Sequence, residues 1–140
     1  MRARVLPGAM LLLASACSGK PYELAPVSGK ITLNGKALAK AWVHFAPVAA
    51  EGALNPGPTS HGQTDEAGMY TLHVKPGTDG AVVGKHKVFI SLIVGGSTDA
   101  DAGNKKGVER IPARYNQATT LEFEVKADGT TEANFELTAP

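Results

Sequence analysis

Across residues 27–137 apolar side chains recur at every second position in short runs, and turn residues cut those runs apart. A strand turns successive side chains to opposite faces, so a period of two marks strands that bury one face only. The longest such run is 85–94. There His86, Val88, Ile90 and Leu92 share one face, while Lys87, Phe89, Ser91 and Ile93 share the other. Asn34-Gly35 is the strongest turn signal, because both residues tolerate positive φ. Asp65-Glu66-Ala67-Gly68 is a second turn: Asp65 can bond to the backbone ahead, and Gly68 can take the left-handed position. No segment here carries a helical period. The pattern predicts an all-β domain, an antiparallel sandwich of about seven strands.

The expected strands are 27–33, 41–48, a segment from His61, 69–74, 85–94, and a final hairpin of 121–125 with 131–137 around Ala127-Asp128-Gly129. The alternation assigns Val43, Phe45, Tyr70, Leu72, Val88, Ile90, Phe123, Val125, Phe135 and Leu137 to the core. Residues 49–60, 76–84 and 95–107 are rich in Gly, Pro or polar side chains and read as loops.

Ahead of this domain the composition changes. Arg2 and Arg4 precede Val5-Leu6-Pro7-Gly8-Ala9-Met10-Leu11-Leu12-Leu13, then Ala14-Ser15-Ala16 and Cys17. A basic start, a short apolar stretch and small residues make a secretory signal, too short to span a bilayer as a stable helix. Cys17 is the only cysteine, so no disulfide forms within the chain and the core holds by packing. A cysteine directly after small residues resembles a bacterial lipobox. That resemblance implies cleavage before Cys17 and lipid on its sulfur and new N-terminus. The position three before Cys17 is Ala14, where that motif usually has Leu. The alternative is a plain signal peptide cut after Ala14 or Ala16, which leaves a lone thiol in an exported protein. Ser18, in place of the Asp that retains lipoproteins in the inner membrane of enteric bacteria, implies by the same resemblance that outer-membrane sorting is open. The expected organisation is a signal peptide at 1–16, a lipidated cysteine and tether at 17–26, and one domain at 27–138. The protein is then exported and anchored to a membrane, in the periplasm or at the cell surface. The formal net charge is +1, and the only short basic cluster is Lys105-Lys106 in a Gly-rich loop. Nucleic acid is therefore not an expected partner.

Val27-Ser28-Gly29-Lys30-Ile31-Thr32-Leu33-Asn34-Gly35, followed by Ala37-Leu38-Ala39-Lys40-Ala41-Trp42-Val43-His44-Phe45, is similar to the opening of a carboxypeptidase regulatory-like, or transthyretin-like, domain. Thr64-Asp65-Glu66-Ala67-Gly68-Met69-Tyr70 resembles the T-D-x-x-G-x-Y/F turn of those domains. Gly84-Lys85-His86-Lys87-Val88-Phe89-Ile90 resembles their later G-x-Y-x-V-x-V strand, with His86 in the aromatic place. Ile111-Pro112-Ala113-Arg114-Tyr115-Asn116 and the strands after it resemble the ending of small exported lipoproteins abundant in planctomycete-like bacteria. The resemblance implies a transthyretin-like (prealbumin-like, Ig-like) sandwich and a non-enzymatic role. Its motifs are structural, so it names no ligand.

The alternative is a transthyretin-fold enzyme, and its signatures are missing. Hydroxyisourate hydrolases end in Tyr-Arg-Gly-Ser, whereas this chain ends Leu137-Thr138-Ala139-Pro140. Intradiol dioxygenases hold iron with two Tyr and two His, one pair spaced His-x-His, and this chain has no His-x-His. Ser28, Ser91 and Ser97 lack a nucleophile-elbow context. No catalytic residue, cofactor or metal site is assigned. His44 and His73 fall on outward faces of different strands and could meet around a transition metal, but two ligands make a weak site and separate surface residues are the expectation. His61 borders a loop, and His86 points inward with a ring nitrogen bonded to backbone. Asp99, Asp101 and Asn104 near Gly103 echo a calcium loop but lack the distal Glu, so solvated acids are expected. Burying Val43 turns Trp42 outward, and burying Val88 and Ile90 turns Phe89 outward. An exposed indole beside a Phe suits contact with a protein or polysaccharide of the envelope, unless loop 49–60 covers it.

Overall fold

The computed structural model describes residues 22–49, 56–95 and 107–140. The expectations for the signal sequence, for Cys17, for most of the tether, for Asp99, Asp101 and Asn104, and for Lys105-Lys106 lie outside the described residues. Among the described residues fourteen short strands form in chain order: β1 (Leu24–Ala25), β2 (Ser28–Leu33), β3 (Lys36–Ala37), β4 (Trp42–Pro47), β5 (Ser60–Gln63), β6 (Met69–Thr71), β7 (His73–Lys75), β8 (Thr78–Asp79), β9 (Ala81–Val82), β10 (Gly84–Ser91), β11 (Ile93–Val94), β12 (Val108–Glu109), β13 (Glu122–Val125) and β14 (Phe135–Leu137). They outnumber the expected runs because single residues such as Leu72 and Leu92 interrupt the ladders, and because β7 shifts register against β8 between His73 and Lys75.

One sheet has six strands in the order β13-β10-β4-β5-β7-β8. A second is built on β2, flanked by β14 and by β3 and β6. β1 with β9, and β11 with β12, form two-stranded ribbons. The pairings are antiparallel except β14 against β2. The protein is thus an all-β sandwich. The described residues contain a single 3-10 turn, Ala113–Tyr115, and no helix long and apolar enough to cross a membrane.

The core lies between the sheets. Val43 and Phe45 of β4, with Val88 and Ile90 of β10, meet Ile31, Tyr70, Leu72, Ala133 and Leu137. Fully burying one such large side chain contributes about 1.5–3 kcal/mol, so the alternation is a strong constraint on which face turns inward. The turns form as their residues require. Asn34 and Gly35 sit at φ 52° and 82° between β2 and β3. Asp65 Oδ1 accepts from the N–H groups of Ala67 and Met69, both at 2.9 Å, and Gly68 takes φ 77°.

Two expectations are corrected. The last two strands do not form a hairpin: β13 pairs with β10 in the large sheet, and β14 pairs with β2 in the other. Between them the chain leaves one sheet and runs beside the start of β2. Thr130 N–H donates to Pro26 O at 2.8 Å, Ser28 N–H to Thr130 O at 2.9 Å, and Ala133 N–H to Ser28 O at 3.0 Å. These bonds satisfy the connecting backbone along β2, so it has no need to fold back on β13. Second, Phe123 and Phe135, expected in the core, are instead half-buried at its margin, each packed edgewise or tilted on Phe45.

Candidate functional site on the outer face of the large sheet

The site begins with β4. Its inward pair, Val43 and Phe45, forces Trp42 and His44 outward. The ladders then fix what stands beside them. Phe89 and Ser91 of β10 pair with His44 and Trp42. On the other side Gln63 and His61 of β5 pair with Trp42 and His44. His61 pairs in turn with His73 of β7, and His73 with Asp79 of β8. A transverse row, Phe89–His44–His61–His73–Asp79, therefore crosses five adjacent strands.

The rings in this row touch. His44 stacks on Trp42 with centroids 6.3 Å apart and planes at 21°. His61 is 6.1 Å from Trp42 and 6.2 Å from His44. His61 and His73 meet edge to face at 5.2 Å. The three imidazoles are half-buried, while Trp42 keeps 41% of its surface exposed. Burial, and then the nearby His61, push the His44 pKa below its ordinary value.

Beside the indole runs an open groove of ≈ 570 Å³, lined by Ser28, Trp42, Gln63, Asp65, Met69, Tyr70, Thr71 and His73. Its walls are fastened from behind. The Tyr70 hydroxyl donates to Ala133 O at 2.5 Å, and burial raises its pKa. The Gln63 amide donates to Lys40 O at 3.4 Å. Thr64, itself buried, accepts from Ala41 N–H at 2.9 Å and so locks the start of β4 onto the end of β5. The result is a flat aromatic surface with carboxylate, amide, hydroxyl and imidazole groups next to it.

Trp42 faces outward as its alternation requires. Phe89 also points to this face, but it is half-buried and does not line the groove. His44 and His73 are separate from each other, as expected, but β5 places His61 between them, where its ring meets both. The sequence places His61 at a loop border and at the start of an extended segment; it does not show that this segment pairs between β4 and β7. Among the described residues no group of three or more His, Cys, Asp or Glu side chains is arranged, as it stands, to hold a metal ion.

His86 lies on the opposite side of the sheet, fully buried. Its Nε2–H donates to Val82 O at 2.5 Å, as the inward reading expects, and its buried Nδ1 has no hydrogen-bond partner. Elsewhere the segment 111–116 fastens the C-terminus. Arg114 donates to the carbonyl and, at 2.9 Å, to the hydroxyl of Thr138, and Thr138 N–H donates to the Tyr115 hydroxyl at 3.1 Å. Asn116 Nδ2 ties Ile90 O, Ile111 O and Pro112 O together at 3.2–3.3 Å. This cluster closes the sandwich rather than opening a cleft. No protein-family model, curated protein or solved structure matches this chain.

Proposed function

We propose that this protein is an exported, non-enzymatic binding module of the bacterial cell envelope, of carboxypeptidase regulatory-like type and lipid-anchored through Cys17, that holds envelope polysaccharide against the Trp42 face. The observation that carries the reading is the exposed indole beside a groove whose other walls are polar. A sugar ring presents an apolar C–H face and a rim of hydroxyls. A flat indole supplies the apolar partner at little cost in rotamer freedom. Gln63, Asp65, Thr71 and His73 supply donors and acceptors at its edge. An open groove suits part of a larger ligand better than a small enclosed substrate.

The test compares wild-type protein with Trp42→Ala for co-sedimentation with purified insoluble envelope polysaccharide. Removing a central aromatic anchor should weaken retention about tenfold or more. Equal retention of the two proteins, or retention of neither, overturns the reading. The anchor is tested separately: Cys17→Ser should release the protein from the membrane fraction and abolish incorporation of labelled fatty acid.

A further inference from the structure

The row on the outer sheet face holds more nitrogen than sugar binding needs. His44, His61 and His73 stand at directly paired positions on three neighbouring strands. Their spacing is therefore fixed by backbone ladders and not by loop conformation, which is the more exact way to place ligands.

We propose that His61 and His73, joined by His44, bind one divalent late transition-metal ion of the zinc, copper or nickel class. The ring spacing of the first pair matches it. Two imidazoles that ligate one tetrahedral ion through nitrogens at ~2.0–2.1 Å hold their ring centres roughly 5 Å apart. His61 and His73 are 5.2 Å apart, edge to face. His44 stands 6.2 Å from His61, about one ångström too far, with its plane at 40°. It reaches the ion by a side-chain rotation that unstacks it from Trp42. Three imidazoles at the centre of the row select for late transition metals, because calcium and magnesium require oxygen ligands. Asp79, opposite His73 on the next strand, is the carboxylate placed by the ladder at the end of the row. His73 also lines the open groove, so the site is within reach of solvent. The fourth histidine does not compete, since His86 is buried on the other face with its Nε2–H committed to Val82. This inference is independent of the polysaccharide reading, because it concerns the imidazoles alone.

The chain carries its own reporter. Trp42 is the only tryptophan, and its ring lies 6.3 Å and 6.1 Å from His44 and His61. Titrating copper(II) into the full chain should quench its fluorescence saturably at one equivalent, and calorimetry with zinc should give the same stoichiometry. The double variant His61→Ala/His73→Ala keeps every other candidate ligand, Cys17 included. It should bind at least the roughly tenfold more weakly that loss of even a supporting partner costs. His44→Ala should show a smaller loss. Imidazole resonances of the unmutated protein give a second measurement that does not depend on any variant folding: zinc should shift His61 and His73 and leave His86 in place. Unchanged affinity in the double variant, no saturable binding, or shifts confined to other residues overturns the proposal.

Discussion

An imidazole enclosed between Val82 O and the Phe45 ring can stay in the fold at little cost only while it is neutral. His86 has one ring N–H committed to that carbonyl, and its other nitrogen is buried without a partner. Protonation would place a charge in surroundings closed to water, a cost its backbone neighbours Val82 and Phe45 only partly offset. Burial accordingly lowers the His86 pKa, outweighing its backbone hydrogen bonds. In the unfolded chain the group titrates at 6.5. The unfolded state therefore binds the proton first as pH falls. The stability gained by keeping His86 neutral is complete above pH 6.5 and is lost as pH falls from there through the lowered folded value. The melting temperature should fall between about pH 7 and about pH 5, and His86→Phe should flatten that slope. A wild-type curve that is flat in this window would contradict the argument. Tyr115 shows the reverse kind of environment. Its hydroxyl is held first by the Thr138 side chain and backbone and then by Arg114, which lower its pKa to about 8. Ultraviolet titration should find one tyrosine ionising near that value while Tyr70 stays protonated to high pH, and Arg114→Ala should move the early step upward.

At the scale of the element, β5 decides the site. It carries His61 and Gln63 outward and Gly62 inward, and it sits between β4 and β7. A Cβ added at Gly62 would lie 2.4 Å from Thr71 O, a backbone atom that cannot rotate away. The missing side chain is what lets the chain pass from β6 to β7 close beneath β5 and bring His73 up against His61. Gly62→Ala should therefore cost about 1–3 kcal/mol in denaturant unfolding, as overpacking does, and should weaken copper quenching of Trp42 along with stability. Loss of stability with full quenching would mean that β7 does not depend on this contact. An extended segment from His61 was legible in the sequence, but its buried face was not, because a strand whose inward position is glycine offers no apolar alternation. β4 and β10 were legible because Val43, Phe45, Val88 and Ile90 write the buried face directly. Local turn chemistry was legible too, at Asn34-Gly35 and at Asp65. The partners of β13 and β14 were not, since pairing between distant segments leaves no mark in either one; Thr130 and Ala133 find Pro26 and Ser28 only through the tertiary fold.

Across the whole molecule the two sheets are held together by packed side chains, since a single cysteine cannot form a disulfide within the chain. Phe45 is the central one. It is fully buried on the large sheet, and its ring meets His86 at 5.5 Å, Phe123 at 5.6 Å and Phe135 at 6.2 Å. Phe123 belongs to the same sheet and Phe135 to the other, so the cluster bridges the sandwich. The alternation placed all three in the core with equal weight. Only the sheet assignments separate the enclosed ring from the two at the margin. The consequences for stability should differ in the same order. Phe45→Ala removes a ring with neighbours on every side and should cost about 3–5 kcal/mol. Phe135→Ala opens onto a partly solvated edge that can relax, so its cost should fall below that range. A domain of this size has only about 5–15 kcal/mol in total, so Phe45→Ala alone brings it near unfolding. Phe45→Leu provides a milder step for measurement by urea unfolding. The expected order of remaining stability is Phe135→Ala above Phe45→Leu above Phe45→Ala, with Trp42→Ala within about 0.5 kcal/mol of wild type because its indole lies outside the core. A Phe135→Ala loss equal to that of Phe45→Ala would place the bridge between the sheets at Phe135 instead.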